Sequence, residues 1–164
     1  MKRLLFLLTL MMGISSMNLY AQTKREEQHA EAQTVRHLVA NKRYVISCDR
    51  IYPQRGSSRY IGGNYSIEMK GDSLRSYLPY IGVARSASYG GGNVLDFEKV
   101  YSDYSYKEGQ KGRMIVTMKV DNGAERFEYE ITVYSNGKAN IRVQPLRCDA
   151  VSFSGELELE AAEK

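Results

Sequence analysis

The chain of 164 residues has no tryptophan, only two cysteines and only two histidines, and it lacks any long apolar run beyond its first residues. Each shortage closes a class of function. Both histidines, His29 and His37, stand early, so no histidine follows to serve as base for a downstream nucleophile. Eight residues of helix would set them two turns apart, whereas helical zinc pairs are spaced by four, so no metal is expected. Gly90-Gly91-Gly92 lacks the following lysine and serine or threonine of a phosphate-cradling loop, and no cofactor is expected either. Basic residues are scattered rather than clustered, which leaves no electrostatic footprint for a phosphate backbone and excludes nucleic acid as a partner.

What is present begins with an address. Lys2 and Arg3 precede an apolar run from Leu4 to Ile14, a polar stretch follows, and Leu19-Tyr20-Ala21 ends on a small residue. That layout predicts a signal peptide over residues 1–21, cleaved after Ala21. The run is too short for a membrane span, which takes about 20 apolar residues. No cysteine stands near the cleavage point to accept a lipid. The expectation is export, to the periplasm first and the extracellular space second. Without Lys2 and Arg3, 21 basic residues face 19 acidic ones, a net charge near +2. In an oxidising compartment Cys48 and Cys148 are candidates for one disulfide, with free thiols as the alternative. Such a bridge would close a loop of about 100 residues and contribute roughly 4–5 kcal/mol on chain entropy. It requires neighbouring strands with both sulfurs on one side.

Residues 22–164 read as one domain. Thr23 and Glu26 fit a capping box, and Ala32, Val35, Leu38 and Val39 recur at helical spacing, predicting a helix over about 24–41. The period then changes to two. Strands are expected near 44–51, 64–70, 73–80, 94–106, 113–121, 125–134, 138–144 and 150–159. Gly71-Asp72 signals a type II′ hairpin pairing Met69 with Leu74 and Tyr65 with Leu78. Asn122-Gly123 signals a type I′ hairpin pairing Met118 with Phe127, Val116 with Tyr129 and Met114 with Ile131. At Asn136-Gly137 a two-residue loop would break the apolar pattern. A three-residue loop with a bulge at Gly137 instead pairs Val133 with Ala139, Ile131 with Ile141 and Tyr129 with Val143. Successive hairpins with one wet and one dry face predict a mainly β fold: an antiparallel β-sandwich or flattened barrel of about eight strands with one N-terminal α-helix.

Chemistry is harder to find. Gly71-Asp72-Ser73-Leu74 spells a serine-esterase motif, but without a downstream histidine the serine has no base, and a hairpin turn explains the same residues. Alternating acids such as Glu128 with Glu130 and Glu156 with Glu158 read as the wet faces of strands. No catalytic residue is assigned. The least strand-like stretch of the β region, residues 77–93, carries Tyr77, Tyr80, Arg85, Tyr89, Gly90, Gly91 and Gly92. Tyrosines offer flat apolar contact with a polar tip, and arginine clamps carboxylate or phosphate, so these seven are the candidate ligand-binding residues. A crossover loop folded over one end of the sheet is the plainer reading of the same stretch.

At this stretch the chain resembles a known family. Leu78-Pro79-Tyr80-Ile81-Gly82-Val83-Ala84, then Ser88-Tyr89-Gly90-Gly91-Gly92 and Phe97, look like the signature of domain-of-unknown-function family 4251. The hairpins from Met114 to Val143, and Arg147 with Ser152-Phe153-Ser154-Gly155, are similar as well. The resemblance implies an exported single domain of gut anaerobes with an N-terminal helix. It carries over no activity and no catalytic residue, and the two cysteines are not part of its pattern. The expected function is a non-catalytic exported domain that binds a small molecule or peptide. The alternative is a protein-interaction or envelope-structural module that meets an envelope protein through a sheet face or edge.

Overall fold

The computed structural model describes residues 26–82 and 94–159. The expected signal peptide, Thr23 of the capping box, Arg85, Tyr89 and Gly90 to Gly92 lie outside the described residues. Helix α1 occupies residues 26–40. Eight strands follow: β1 (Arg43–Pro53), β2 (Arg59–Lys70), β3 (Ser73–Tyr77), β4 (Asp96–Glu108), β5 (Met114–Asp121), β6 (Arg126–Val133), β7 (Lys138–Pro145) and β8 (Val151–Leu157). All neighbours are antiparallel, and β8 pairs with β1 to close a barrel, which settles sandwich against barrel.

Closure follows from the period-two pattern. On β5 to β8 every second side chain enters the barrel, where Met114, Val116, Met118, Phe127, Tyr129, Ile131, Ile141, Val143 and Phe153 are buried. Phe97 stacks on Phe127 at 5.5 Å between centroids and meets Tyr129 edge-on at 6.5 Å. The Tyr129 hydroxyl donates to Ser76 Oγ at 3.1 Å, so the deepest phenol is satisfied by an equally buried partner. Large side chains therefore fill the interior.

The hairpins divide into two that match expectation and one that does not. Gly71 has φ 61° and Asp72 does not share its left-handed conformation, as type II′ requires; Met69 pairs with Leu74. The expected Tyr65–Leu78 pair lies past the end of that ladder: β3 stops at Tyr77, and the Leu78 amide donates to Leu95 instead. At β6–β7 the three-residue loop holds. Gly137 has φ 73°, the Tyr134 amide donates to Lys138, and Val133 pairs with Ala139. The β5–β6 turn is longer than the expected type I′ loop. Met118 pairs with Tyr129 and Val120 with Phe127, so residues 122–125 form the connection. Asn122 is the cause: its Oδ1 accepts from the amides of Ala124 and Glu125, an Asx turn that replaces the two-residue loop. The shift is by two residues, so the buried face survives it.

Strands β1 and β2 run further than expected because bulges absorb their irregular residues. Pairing skips between Cys48 and Arg50, and Gly62 on β2 takes φ 77°. The two ends of the barrel are closed differently. Val35, Leu38 and Val39 of α1 join the core at the end that holds the β2–β3 and β6–β7 turns. The β1–β2, β3–β4, β5–β6 and β7–β8 connections meet at the other end.

Candidate functional site

The expected ligand loop starts at the loop end, and its two described tyrosines serve different purposes. Tyr77 is 39% exposed and packs its ring against Tyr65 at 5.4 Å. Tyr80 is half-buried, and its hydroxyl donates to the Asp149 carbonyl at 3.0 Å, stapling the β3–β4 connection to the β7–β8 connection. Around it the other loops interlock. Asn122 Nδ2 donates to Val94, Gln54 Oε1 accepts from Ala150, and Arg147 donates to Ala124. Two carboxylates are buried here: Glu125, 3.6 Å from Arg147 Nε, and Asp149, 3.7 Å from Arg55 Nε. Tyr80 thus has a structural employment that its sequence position did not reveal.

The disulfide considered above is not formed; both cysteines are buried free thiols. Register explains why. Cys48 pairs with Gly155 in the middle of the wall, whereas Cys148 precedes Val151, the β8 partner of Pro53. Four residues of β8 separate those levels, about 13 Å, well over the Cα spacing a bridge accepts. Burial pushes the Cys48 thiol up to about 12. Burial, then neighbouring Glu125, raises Cys148, with a hydrogen bond from Tyr80 working the other way. Ser73 of the esterase-like tetrapeptide spends its hydroxyl on the Lys70 carbonyl at 3.2 Å, closing the hairpin, while Asp72 faces Lys42. His29 and His37 are exposed on α1.

A cleft that sequence reasoning missed opens on the outer wall. It holds about 600 Å³ and is lined by Asp49, residues 134–136 and 138–140, and Ser154 to Glu156. Strand geometry builds it. Asp49 follows the bulge of β1, and the outward residues Lys138 and Asn140 of β7 pair with Glu156 and Ser154 of β8, which gives the cleft its walls. A Cβ on Gly155 would lie 2.0 Å from the Ser47 carbonyl oxygen, so only glycine permits this approach of β8 to β1. Ala139 and Gly155, both buried, form the floor. On the rim Asn140 Nδ2 donates to the Tyr134 hydroxyl at 3.2 Å, and Ser154 Oγ donates to Asp49 Oδ1 at 3.2 Å. The Tyr52 hydroxyl reaches Ser154 at 3.4 Å. Lys138 and Glu156 face one another across the ladder, yet among the described residues neither enters an ion pair. The sequence signal was faint: acids and amides on alternate positions read as ordinary wet faces.

A closed antiparallel barrel capped by one helix, with a filled interior and a polar outer cleft, defines the class. The family model for the domain of unknown function DUF4251 matches residues 26–157, and the chain belongs to that family. Among solved structures it is similar to a DUF4251 family protein from Bacteroides eggerthii, crystallised at 1.95 Å resolution. That likeness has TM-score 0.60 and 14% identity over 79% of this chain and 90% of the other, and it supports the fold alone. A search of curated proteins finds no match. No helix among the described residues is long and apolar enough to cross a membrane.

Proposed function

We propose that this chain is an exported binding domain that holds a small polar molecule or short peptide in the cleft on β1, β7 and β8. One observation carries the reading: the barrel interior is packed with side chains, while its outer wall offers a concavity of about 600 Å³ rimmed by hydrogen-bonding groups. That volume falls in the range of small-molecule sites. Export rests on Lys2, Arg3, the Leu4–Ile14 run and Ala21, and the family match begins downstream of them at residue 26. Tyr77 and the loop after Tyr80 remain a proposed second contact.

Hydrogen exchange on the purified chain, with and without a low-molecular-mass extract of the producing cells, tests the site. Protection of residues 134–140 and 154–156 is expected. Protection confined to residues 77–82 would move the site to the loop, and none anywhere would end the binding reading. Recovery of a chain that begins at Gln22 from the periplasmic fraction is the expected export result; an intact Lys2-Arg3 terminus would refute it.

The interaction reading also has an observation in its favour. Leu146 is 70% exposed beside a second cleft of about 410 Å³ lined by Lys119, Arg126, Phe127, Glu128, Gln144 and Pro145. Because each strand has two neighbours, a partner protein would dock on this face rather than on an edge.

A further inference from the structure

Resting on the binding reading above, we infer that the cleft on β1, β7 and β8 takes a saccharide, a short chain of hydroxyl-rich sugar units. Its lining argues against apolar ligands and anions, and the test below separates sugars from peptides. Apart from Ala139, no aliphatic side chain lines it, so a lipid or apolar ligand would bury little surface. One ammonium, Lys138, stands against two carboxylates, Asp49 and Glu156, which disfavours phosphate and other anions. What remains is an assembly of groups that each suit hydroxyls. A sugar hydroxyl donates and accepts at once. A carboxylate takes its proton, and an ammonium or amide N–H satisfies its oxygen.

The cleft supplies both kinds on facing strands. Lys138 on β7 and Glu156 on β8 are register partners without a mutual ion pair, so each keeps its bonding capacity for a guest between them. Asn140 and Ser154, the next pair along the same ladder, add an amide and a hydroxyl, and Asn136 another amide. Tyr134, 36% exposed and part of the lining, supplies a flat ring of the kind on which the C–H face of a pyranose packs. Asn140 holds the Tyr134 hydroxyl, so that ring is positioned before any ligand arrives.

Amide chemical shifts of the labelled chain, titrated with maltose, cellobiose and N,N′-diacetylchitobiose, provide the test, with triglycine and inorganic phosphate as controls. Saturable shifts at Lys138, Asn140, Ser154 and Glu156 are expected with at least one disaccharide. Asn140→Ala and Tyr134→Ala should each weaken that binding about tenfold, with melting temperatures unchanged for these exposed positions. If triglycine or phosphate moves those amides and no sugar does, the saccharide assignment falls while the cleft stands. If sugars shift only residues 77–82, the cleft falls with it. If the two substitutions lower the melting temperature of the chain and leave sugar affinity unchanged, the rim has no role in recognition and the saccharide assignment falls.

Discussion

The two ends of the barrel solve one problem by opposite means. At the helix end, Val35, Leu38 and Val39 cover the core with apolar area, and the supporting contacts are peripheral: Arg36 with Glu108, and Lys42 with Asp72 and the rings of Tyr101 and Tyr104. At the loop end, closure is polar and long-range. Tyr80 reaches Asp149, Gln54 reaches Ala150, Asn122 reaches Val94, and two carboxylates are buried with arginines at their edges. Apolar closure tolerates variation in detail, because burial is non-directional. Polar closure depends on each partner, since a buried group left alone retains its full desolvation cost.

Removing one side chain at each end exposes that difference. Leu38→Ala deletes a side chain only 4% exposed and should cost about 3 kcal/mol, with little dependence on salt. Glu125→Ala strips a fully buried carboxylate that accepts from the Arg126 amide and faces Arg147; it should cost about 2 kcal/mol. Urea denaturation of both variants checks the order. The comparison sharpens with Arg147→Met in the Glu125→Ala background. Because Arg147 is half-exposed and can rehydrate, the second change should add less than about 1 kcal/mol. A larger added loss would mean that Arg147 closes this end independently of Glu125.

Legibility in the sequence follows the same division. The helix stripe, the strand order and the Gly137 bulge were readable because apolar period and turn chemistry are local properties. The β5–β6 register was misjudged by two residues because the Asn122 side chain competes with the backbone, and Asn-Gly alone does not announce it. The loop-end network was invisible, since its members stand far apart in the chain: 69 residues between Tyr80 and Asp149, 96 between Gln54 and Ala150. The cleft was missed for a related reason. It depends on Asp49 of β1, Lys138 and Asn140 of β7 and Ser154 and Glu156 of β8 meeting on the outer wall, a coincidence of three strands that period-two reading cannot rank.

Alkaline pH should separate the ends next. At the helix end burial raises Tyr44 and Tyr106 and pushes Tyr104 up to about 12 from 10.0, with Tyr101 adding to the Tyr104 shift. The folded state therefore keeps protons that the unfolded chain releases. The tyrosines' contribution to stability is complete below pH 10 and declines as pH rises toward 12, on top of a loss from the raised thiols that begins near pH 9. Tyr104→Phe keeps the ring and removes the titration, so its urea midpoint should fall less steeply than the parent's between pH 10 and 11. Identical slopes would show that Tyr104 does not contribute to the alkaline loss.

The smallest expected effect is also at the helix end, where two terms nearly cancel. Lys42 holds φ 54°, a conformation that a residue with a side chain adopts at a cost of about 1 kcal/mol. Its ammonium lies 4.2 Å from the Tyr104 ring and 5.5 Å from that of Tyr101, a contact worth about 0.5–1 kcal/mol. Lys42→Gly gives up the contact and releases the strain, so the urea midpoint should barely move. Lys42→Met gives up the cation and keeps the strain, and should lose about 0.5–1 kcal/mol. The gap between the two variants measures the backbone term less the packing of the apolar stem that methionine keeps and glycine lacks. If the glycine variant proves the weaker, the left-handed turn after α1 is held without cost, and the cation over the two rings, rather than the turn, fixes how the helix enters the barrel.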